Sequence, residues 1–197
     1  MNGHDSLAGR IDAVVIGASA GGIQALMTVL PALPRDAAVS AFVVLHLPRD
    51  RASQLVEIFR PHCAMKVGEA QDKEPAAPGQ IYIAPPDYHL LVGEGPECAL
   101  SDDELVNFSR PAIDVLFESA ADVFGARLLA IVLSGANDDG SRGAAAIKRA
   151  GGLVFVQAPA SAPHSLMPAA VMERTRVDFV GELDQIAARL RSLGDAA

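Results

Sequence analysis

The stretch from Ile11 to Gly22 constrains the fold of this chain more than any other part of its sequence. An apolar run rich in Val and Ile ends at Gly17, and an amphipathic pattern begins after Gly22. Together these features predict a β-strand, a tight glycine turn and the start of a helix. Because strands and helices alternate along most of the chain, we predict an α/β fold with a doubly wound, mostly parallel sheet and helices on both faces.

The turn itself contains a serine among small residues, in the order Gly17-Ala18-Ser19-Ala20-Gly21. This order matches the nucleophile elbow, in which a sharp turn exposes the serine hydroxyl above the end of the sheet. A phosphate-binding turn is the competing interpretation. However, a dinucleotide-binding turn has glycine where Ser19 stands, and a P-loop has a Gly-Lys-Ser/Thr sequence that this stretch lacks. Small residues also occur wherever a helix packs tightly on its strand, so this stretch alone leaves the choice open.

Hydropathy and turn residues place the other elements. The predicted strands cover residues 41–45, 81–84, 128–133 and 153–157. The first predicted helix begins after Gly22, and the others cover residues 52–59, Pro111 to Phe124, about 141–150, and 183–193. An extended segment at 88–92 that folds back onto 97–101 predicts a hairpin insertion near residues 88–101.

Composition limits the number of domains and the kinds of partner. With half of its 197 residues apolar, the chain can form one full core, and we expect a tail at residues 1–10 and a single domain at 11–194. A formal charge of −8 argues against nucleic acid or an anionic membrane surface as the main partner. No apolar run is long enough to cross a bilayer, and two cysteines, Cys63 and Cys98, are too few for a metal knuckle. We therefore expect a cytoplasmic protein without direct membrane insertion and without a metal.

Three predicted strands deliver reactive side chains to their carboxyl ends, where open α/β sheets bind ligands. These side chains are Ser19, His46 and Asp139. A serine hydroxyl is a poor nucleophile at neutral pH, so it needs an imidazole to take its proton and a carboxylate to orient the imidazole. Each residue also has a simpler interpretation: Ser19 as a small turn residue, His46 as a loop histidine, and Asp139 as the N-cap of the next helix.

A series of motifs extends over nearly the whole chain: Ile16-Gly17-Ala18-Ser19-Ala20-Gly21-Gly22, His46-Leu47-Pro48, Pro78-Gly79-Gln80-Ile81-Tyr82-Ile83-Ala84-Pro85, Arg110-Pro111, Asp114-Val115-Leu116-Phe117, Leu133-Ser134-Gly135 with Asp139-Gly140, and Met167-Pro168. Their order resembles the catalytic domain of CheB-type chemotaxis protein-glutamate methylesterases. Several ordered motifs are far more specific than a single elbow.

The resemblance implies that Ser19 is the nucleophile, His46 the general base and Asp139 the orienting carboxylate. Counting from Gly135 in the family's Gly-Met-Gly-x-Asp-Gly pattern selects Asp139, so we expect the adjacent Asp138 to be solvated. The implied reaction is hydrolysis of glutamate methyl esters on the cytoplasmic region of methyl-accepting chemotaxis receptors, with deamidation of receptor glutamines as a second activity. No metal or organic cofactor is implied, and we expect a monomer or weak oligomer.

The resemblance also suggests residues around the reacting atoms. Candidate donors to the oxyanion are the backbone N–H groups of Ala20, Gly135, Ala136 and Asn137. Candidate substrate-loop residues are His89, Arg110, Met167 and Pro168. The simpler interpretations are a surface histidine on the hairpin for His89 and a solvated charge for Arg110.

The chain departs from the family pattern at several positions. Ala136-Asn137 replaces Met-Gly, Ala158 replaces an acidic residue, and Leu166 replaces glycine. About ten residues precede the first strand, too few for the receiver domain that family members commonly carry, so we expect no phosphorylation control in cis. A catalytically weakened module that binds receptors or signalling partners is the alternative function, and a nucleotide-binding α/β protein is a weaker one.

Overall fold

The strands and helices of this protein are seen in a computed structural model that describes residues 7–46 and 53–194. In the described part the strands are β1 (Ala13–Ala18), β2 (Ser40–Leu45), β3 (Lys66–Glu69), β4 (Gln80–Ile83), β5 (His89–Gly93), β6 (Glu97–Ser101), β7 (Leu128–Val132), β8 (Leu153–Gln157) and β9 (Phe179–Gly181). The α-helices are α1 (Gly22–Val29), α2 (Leu55–Phe59), α3 (Ile113–Phe124), α4 (Ser141–Arg149), α5 (Leu166–Arg174) and α6 (Leu183–Arg191).

The central sheet has seven strands in the order β3-β4-β2-β1-β7-β8-β9, and all of its strand pairs are parallel. Side chains of one strand alternate between two separate apolar cores: Val14 and Ile16 face α1, α2 and α6, whereas Ala13 and Val15 face α3, α4 and α5. The predicted doubly wound sheet with helices on both faces is therefore confirmed. None of the described helices is long and apolar enough to cross a membrane.

The hairpin is also confirmed, since β5 and β6 pair antiparallel as a separate two-stranded sheet. It packs on the α3 side of the protein, where Leu90, Val92 and Cys98 belong to the same apolar core as Phe117. The backbone N–H of Val92 donates to the Ser119 hydroxyl of α3 at 3.1 Å. The hairpin is thus packed directly against α3.

Three short or irregular elements lack the hydropathy pattern of a regular strand or helix. The edge strands β3 and β9 and the helix α5 were not predicted, because β3 reads Lys-Val-Gly-Glu, β9 has three residues, and α5 has a proline in its first turn. The prediction that Pro111 is the first helical residue is wrong, since Ala112 is extended and α3 starts at Ile113. The predicted start of the second helix, Ala52, lies outside the described residues.

Glycines allow the close approaches that bring the helices onto the sheet end. A Cβ added at Gly17 would lie 2.5 Å from Cγ2 of Ile113, so glycine lets α3 approach the end of β1. A Cβ at Gly143 would lie 2.4 Å from Cβ of Phe117, so glycine also sets the distance between α4 and α3. These contacts hold α3 directly beside the carboxyl end of the sheet.

We predict that Gly143→Ala destabilises the protein. Alanine favours a helix by up to about 1 kcal/mol, but overpacking against α3 costs about 1–3 kcal/mol, so a net loss of roughly 1–2 kcal/mol is expected. Urea denaturation measures the free energy of unfolding. Gly68→Ala is the matched control, because the nearest atom to its added Cβ is 3.9 Å away. Equal effects of the two changes would contradict the packing argument.

Candidate active site

Ser19, His46 and Asp139 meet at the carboxyl edge of the central sheet, as predicted. Ser19 Oγ lies 3.3 Å from His46 Nδ1, and His46 Nε2 lies 2.9 Å from Asp139 Oδ2. Because Nε2 faces a carboxylate, it is the nitrogen that carries the proton in the neutral ring, which leaves a lone pair on Nδ1 facing the serine. Leu47 and Pro48, which follow the histidine in the sequence motif, lie outside the described residues.

The Asp139 carboxylate is fully buried and is surrounded by donors. Oδ2 accepts hydrogen bonds from His46 Nε2 and Ile113 N–H, and Oδ1 accepts from Asp114 N–H, Gly140 N–H and the Asn107 amide. Burial raises the pKa of this carboxyl, but the hydrogen bonds from His46, Ile113, Asp114 and Asn107 together outweigh burial and hold the pKa below its ordinary value. The carboxylate is therefore kept ionised beside the imidazole.

Asp139 also caps a helix. The N–H groups of Ile113 and Asp114 belong to the first turn of α3, and Ala112 offers no side-chain cap. Helix N-termini carry unpaired N–H donors and a partial positive charge, both of which favour a carboxylate. The simpler interpretation of Asp139 as the N-cap of the helix near Ser141 is thus wrong, because the N-cap of α4 is Gly140. The carboxylate caps α3 instead.

Asp114 and Asn107 lie directly beside the Asp139 carboxylate, and the sequence predicted a site role for neither of them. Asp114 is buried, accepts a hydrogen bond from Gly143 N–H at 2.7 Å, and has a pKa raised by burial and by the nearby charge of Asp139. One signal could have revealed it, since Asp114 shares the buried face of α3 with Phe117 and Ala121. Asn107 lies in the loop between β6 and α3 and gives no signal in the sequence.

The candidate oxyanion donors differ in their surroundings. Gly135 N–H donates to the His164 carbonyl at 3.0 Å, so this candidate is already engaged. No hydrogen bond of the Ala20, Ala136 or Asn137 backbone N–H appears among the described residues, and all three remain candidates. The Asn137 side chain lies against the histidine, with Nδ2 3.4 Å from His46 Nδ1 and Oδ1 accepting from Asp139 N–H.

His89 and Arg110 secure the loop before α3. The interpretation of His89 as a surface residue is wrong, because its side chain is 2% exposed. Its Nδ1 accepts from Ala112 N–H and its Nε2 donates to the Glu104 carbonyl. Arg110 is not a solvated charge either, since its side chain is 18% exposed and donates to Asp87 and to loop carbonyls. Both residues hold the loop that carries Asn107.

Met167 and Pro168 lie at the start of α5 and are buried. A Cβ added at Gly135 would lie 2.3 Å from Met167 Cε, so this methionine packs directly against the loop after β7. Direct contact of the Met167 side chain with a substrate is excluded by its complete burial. The exposed neighbour in α5 is Leu166, which lines a groove of about 550 Å³ together with Asp138.

Asp138 is exposed, as predicted. Among residues 7–46 and 53–194, no group of three or more His, Cys, Asp or Glu side chains is placed to hold a metal ion.

The lowered pKa of Asp139 predicts a specific acid dependence of stability. A carboxyl with a folded-state pKa below its ordinary 3.8 stabilises the fold above that value and loses this contribution as the pH falls through the folded pKa. We expect Asp139→Asn to be less stable than the wild type at neutral pH, with a gap that narrows in acid. Denaturation series from neutral pH to below 3.8 measure it. Asp138→Asn is the control with little gap, and a gap for Asp139→Asn that is constant with pH would contradict the prediction.

The sequence profile of the CheB methylesterase family matches residues 14–190 of this chain. A Leptospira interrogans protein provisionally named protein-glutamate methylesterase/protein-glutamine glutaminase is 44% identical over 89% of this chain and 91% of the relative. Protein-glutamate methylesterase/protein-glutamine glutaminase 2 of Caulobacter vibrioides is 38% identical over 94% of this chain and 56% of the relative. The chain thus spans most of one relative and just over half of the other.

A solved structure agrees with both the sequence and the fold. The crystal structure of the Thermotoga maritima CheB methylesterase catalytic domain matches with a TM-score of 0.88 and 32% sequence identity, over 93% of this chain and 98% of that chain. The resemblance inferred from the ordered motifs is confirmed: this chain belongs to the CheB methylesterase family, and it corresponds to the family's catalytic domain.

Proposed function

We propose that this protein is a serine hydrolase that removes methyl esters from glutamate side chains of methyl-accepting chemotaxis receptors. The observation that carries the proposal is the continuous contact from Ser19 Oγ through His46 to the buried Asp139 carboxylate, in a chain of the CheB methylesterase family. The proposed partner is the methylated cytoplasmic region of such receptors, which assigns the protein to the cytoplasm. The reaction needs no metal or organic cofactor.

The proposed mechanism has two halves. In the first, His46 Nδ1 takes the Ser19 proton, Oγ attacks the ester carbonyl, and the protonated Nδ1 then returns the proton to the departing methoxide, which leaves as methanol. In the second, His46 activates a water molecule that attacks the acyl-serine, which releases the glutamate and restores Ser19. Asp139 stabilises the imidazolium in both halves. Candidate donors to the oxyanion are the backbone N–H groups of Ala20, Ala136 and Asn137.

The same sequence of steps supports a second proposed activity, deamidation of receptor glutamines. The leaving group is then ammonia, and an amide is a weaker electrophile than an ester, so we expect this reaction to be slower. Names of relatives from Leptospira and Caulobacter include protein-glutamine glutaminase, which supports the assignment.

The net charge of the protein favours the ester over the product. The protein has a formal charge of −8. A methyl ester is neutral, whereas the released glutamate is an anion, so the surroundings repel the product more than the substrate. This difference favours release of the receptor after hydrolysis.

A catalytically weakened binding module is the second candidate function. Asn137 favours it, because its amide lies 3.4 Å from the same His46 nitrogen that lies 3.3 Å from Ser19 Oγ. An amide N–H that donates to this lone pair competes with the serine for it. Such a module would bind receptors without hydrolysing their esters.

We expect release of methanol from methylated receptor fragments and labelling of Ser19 by a fluorophosphonate at neutral pH. Ser19→Ala and His46→Ala should each abolish hydrolysis, and their losses should not add, because members of a triad act as one unit. Heat-denatured protein is the control that should not label. Receptor binding without methanol release or labelling would favour the binding module, and clearly additive losses would count against a shared triad.

The two adjacent aspartates provide a sharper test. Asp139→Asn keeps the shape but removes the charge that orients and stabilises the imidazolium, a change that costs about four orders of magnitude in a protease triad. We expect a severe loss for Asp139→Asn and a nearly silent Asp138→Asn, measured with one methyl-ester substrate across neutral pH. A severe loss in Asp138→Asn beside an active Asp139→Asn would overturn the assignment. Small, equal losses would mean that another group orients His46.

A further inference from the structure

Asn107 connects two buried carboxylates that belong to different elements. Its Nδ2 donates to Asp114 Oδ2 at 3.0 Å and to Asp139 Oδ1 at 2.9 Å. One side-chain NH₂ group has two hydrogens, so both are used, one on each aspartate. No other described side chain donates to both carboxylates.

The loop adopts an unusual backbone to deliver this amide. Asn107 and the next residue, Phe108, have φ values of 51° and 60°, in the left-handed region that non-glycine residues rarely adopt. Paired backbone hydrogen bonds between Val106 and Ser109 close the turn around them. Strained conformations of this kind persist only where the surroundings hold them, and they concentrate at functional sites.

The electrostatics show what the amide contributes. Asp114 and Asp139 are both buried, and the charge of Asp139 disfavours ionisation of Asp114. A donor placed on both carboxylates offsets their mutual repulsion. It also holds the Asp139 oxygen that does not face the histidine, since His46 contacts Oδ2 and Asn107 contacts Oδ1. The N–H groups of Asp114 and Gly140 also donate to Oδ1, and Asn107 adds the one side-chain donor to this oxygen among the described residues. Holding Oδ1 in place sets the direction of Oδ2.

We propose that Asn107 is a positioning residue: by donating to Asp114 and Asp139 together, it keeps Asp139 Oδ2 directed at His46 Nε2. The effect of this role on catalysis rests on the proposed function of the site. Asn107 touches Asp139 and not the nucleophile, so it acts through the aspartate. Its contribution therefore concerns the orientation of the base and not the binding of the substrate.

The test compares Asn107→Ala and Asn107→Asp with the wild type. Alanine removes the donors, and aspartate keeps the shape and tolerates the positive φ but brings a third carboxylate to the pair. We expect kcat to fall about 10- to 100-fold in Asn107→Ala and further in Asn107→Asp, with little change in KM, because small misplacements of catalytic groups cost this much. Asp102→Asn, an exposed position on the same loop, is the control that should keep wild-type kcat.

A second measurement needs no turnover. The proton on His46 Nε2 that faces Asp139 should give a far-downfield proton resonance, which we expect to move upfield or vanish by exchange in both Asn107 variants and to persist in Asp102→Asn. An unchanged resonance and unchanged kcat in folded Asn107→Ala would overturn the proposal, as would a lower kcat with an unchanged resonance. If the alanine variant fails to fold, Asn107→Asp decides by the same criteria. A wild type that releases no methanol but whose resonance depends on Asn107 would refute the proposed function and leave the positioning role standing.

Discussion

The site depends on one buried carboxylate at the start of a helix. Asp139 accepts hydrogen bonds from the first two N–H groups of α3 and from His46. The same carboxylate therefore caps the start of the helix and orients the imidazole. Burying a charge is costly unless hydrogen bonds and nearby dipoles compensate, and this carboxylate has both. The arrangement ties the position of α3, the loop after β7 and the imidazole to a single side chain.

The strand order explains why the histidine faces the serine with Nδ1 and the aspartate with Nε2. Ala18 and Leu45 are paired partners on β1 and β2, so Ser19 and His46 follow directly on neighbouring strands. Neighbouring strands lie about 4.8 Å apart, a distance that the ring nitrogen nearer the backbone can span. Asp139 follows β7, on the far side of β1, and only the outer nitrogen reaches it.

The sequence predicts most of the sheet and all three proposed triad residues, because buried strands and turns leave local patterns. Asn107 and the roles of His89 and Arg110 could not be predicted, since each of these side chains has a partner 15 to 32 positions away: Glu104 for His89, Asp87 for Arg110 and Asp139 for Asn107. The start of α3 was misplaced for the same reason. Its cap comes from Asp139, 26 residues along the chain from Ile113, so no local capping signal marks it.

The double use of Asp139 has a consequence for how a chain of this kind changes during evolution. Losing Ser19 would remove the proposed nucleophile and leave the described helix caps in place, because Ser19 lies in a turn that its backbone forms. Losing the aspartate strips α3 of its cap as well. A descendant that no longer hydrolyses esters but still binds its partner would therefore lose the serine first and keep the aspartate for its structural role. The presence of the aspartate alone would then not indicate an active enzyme.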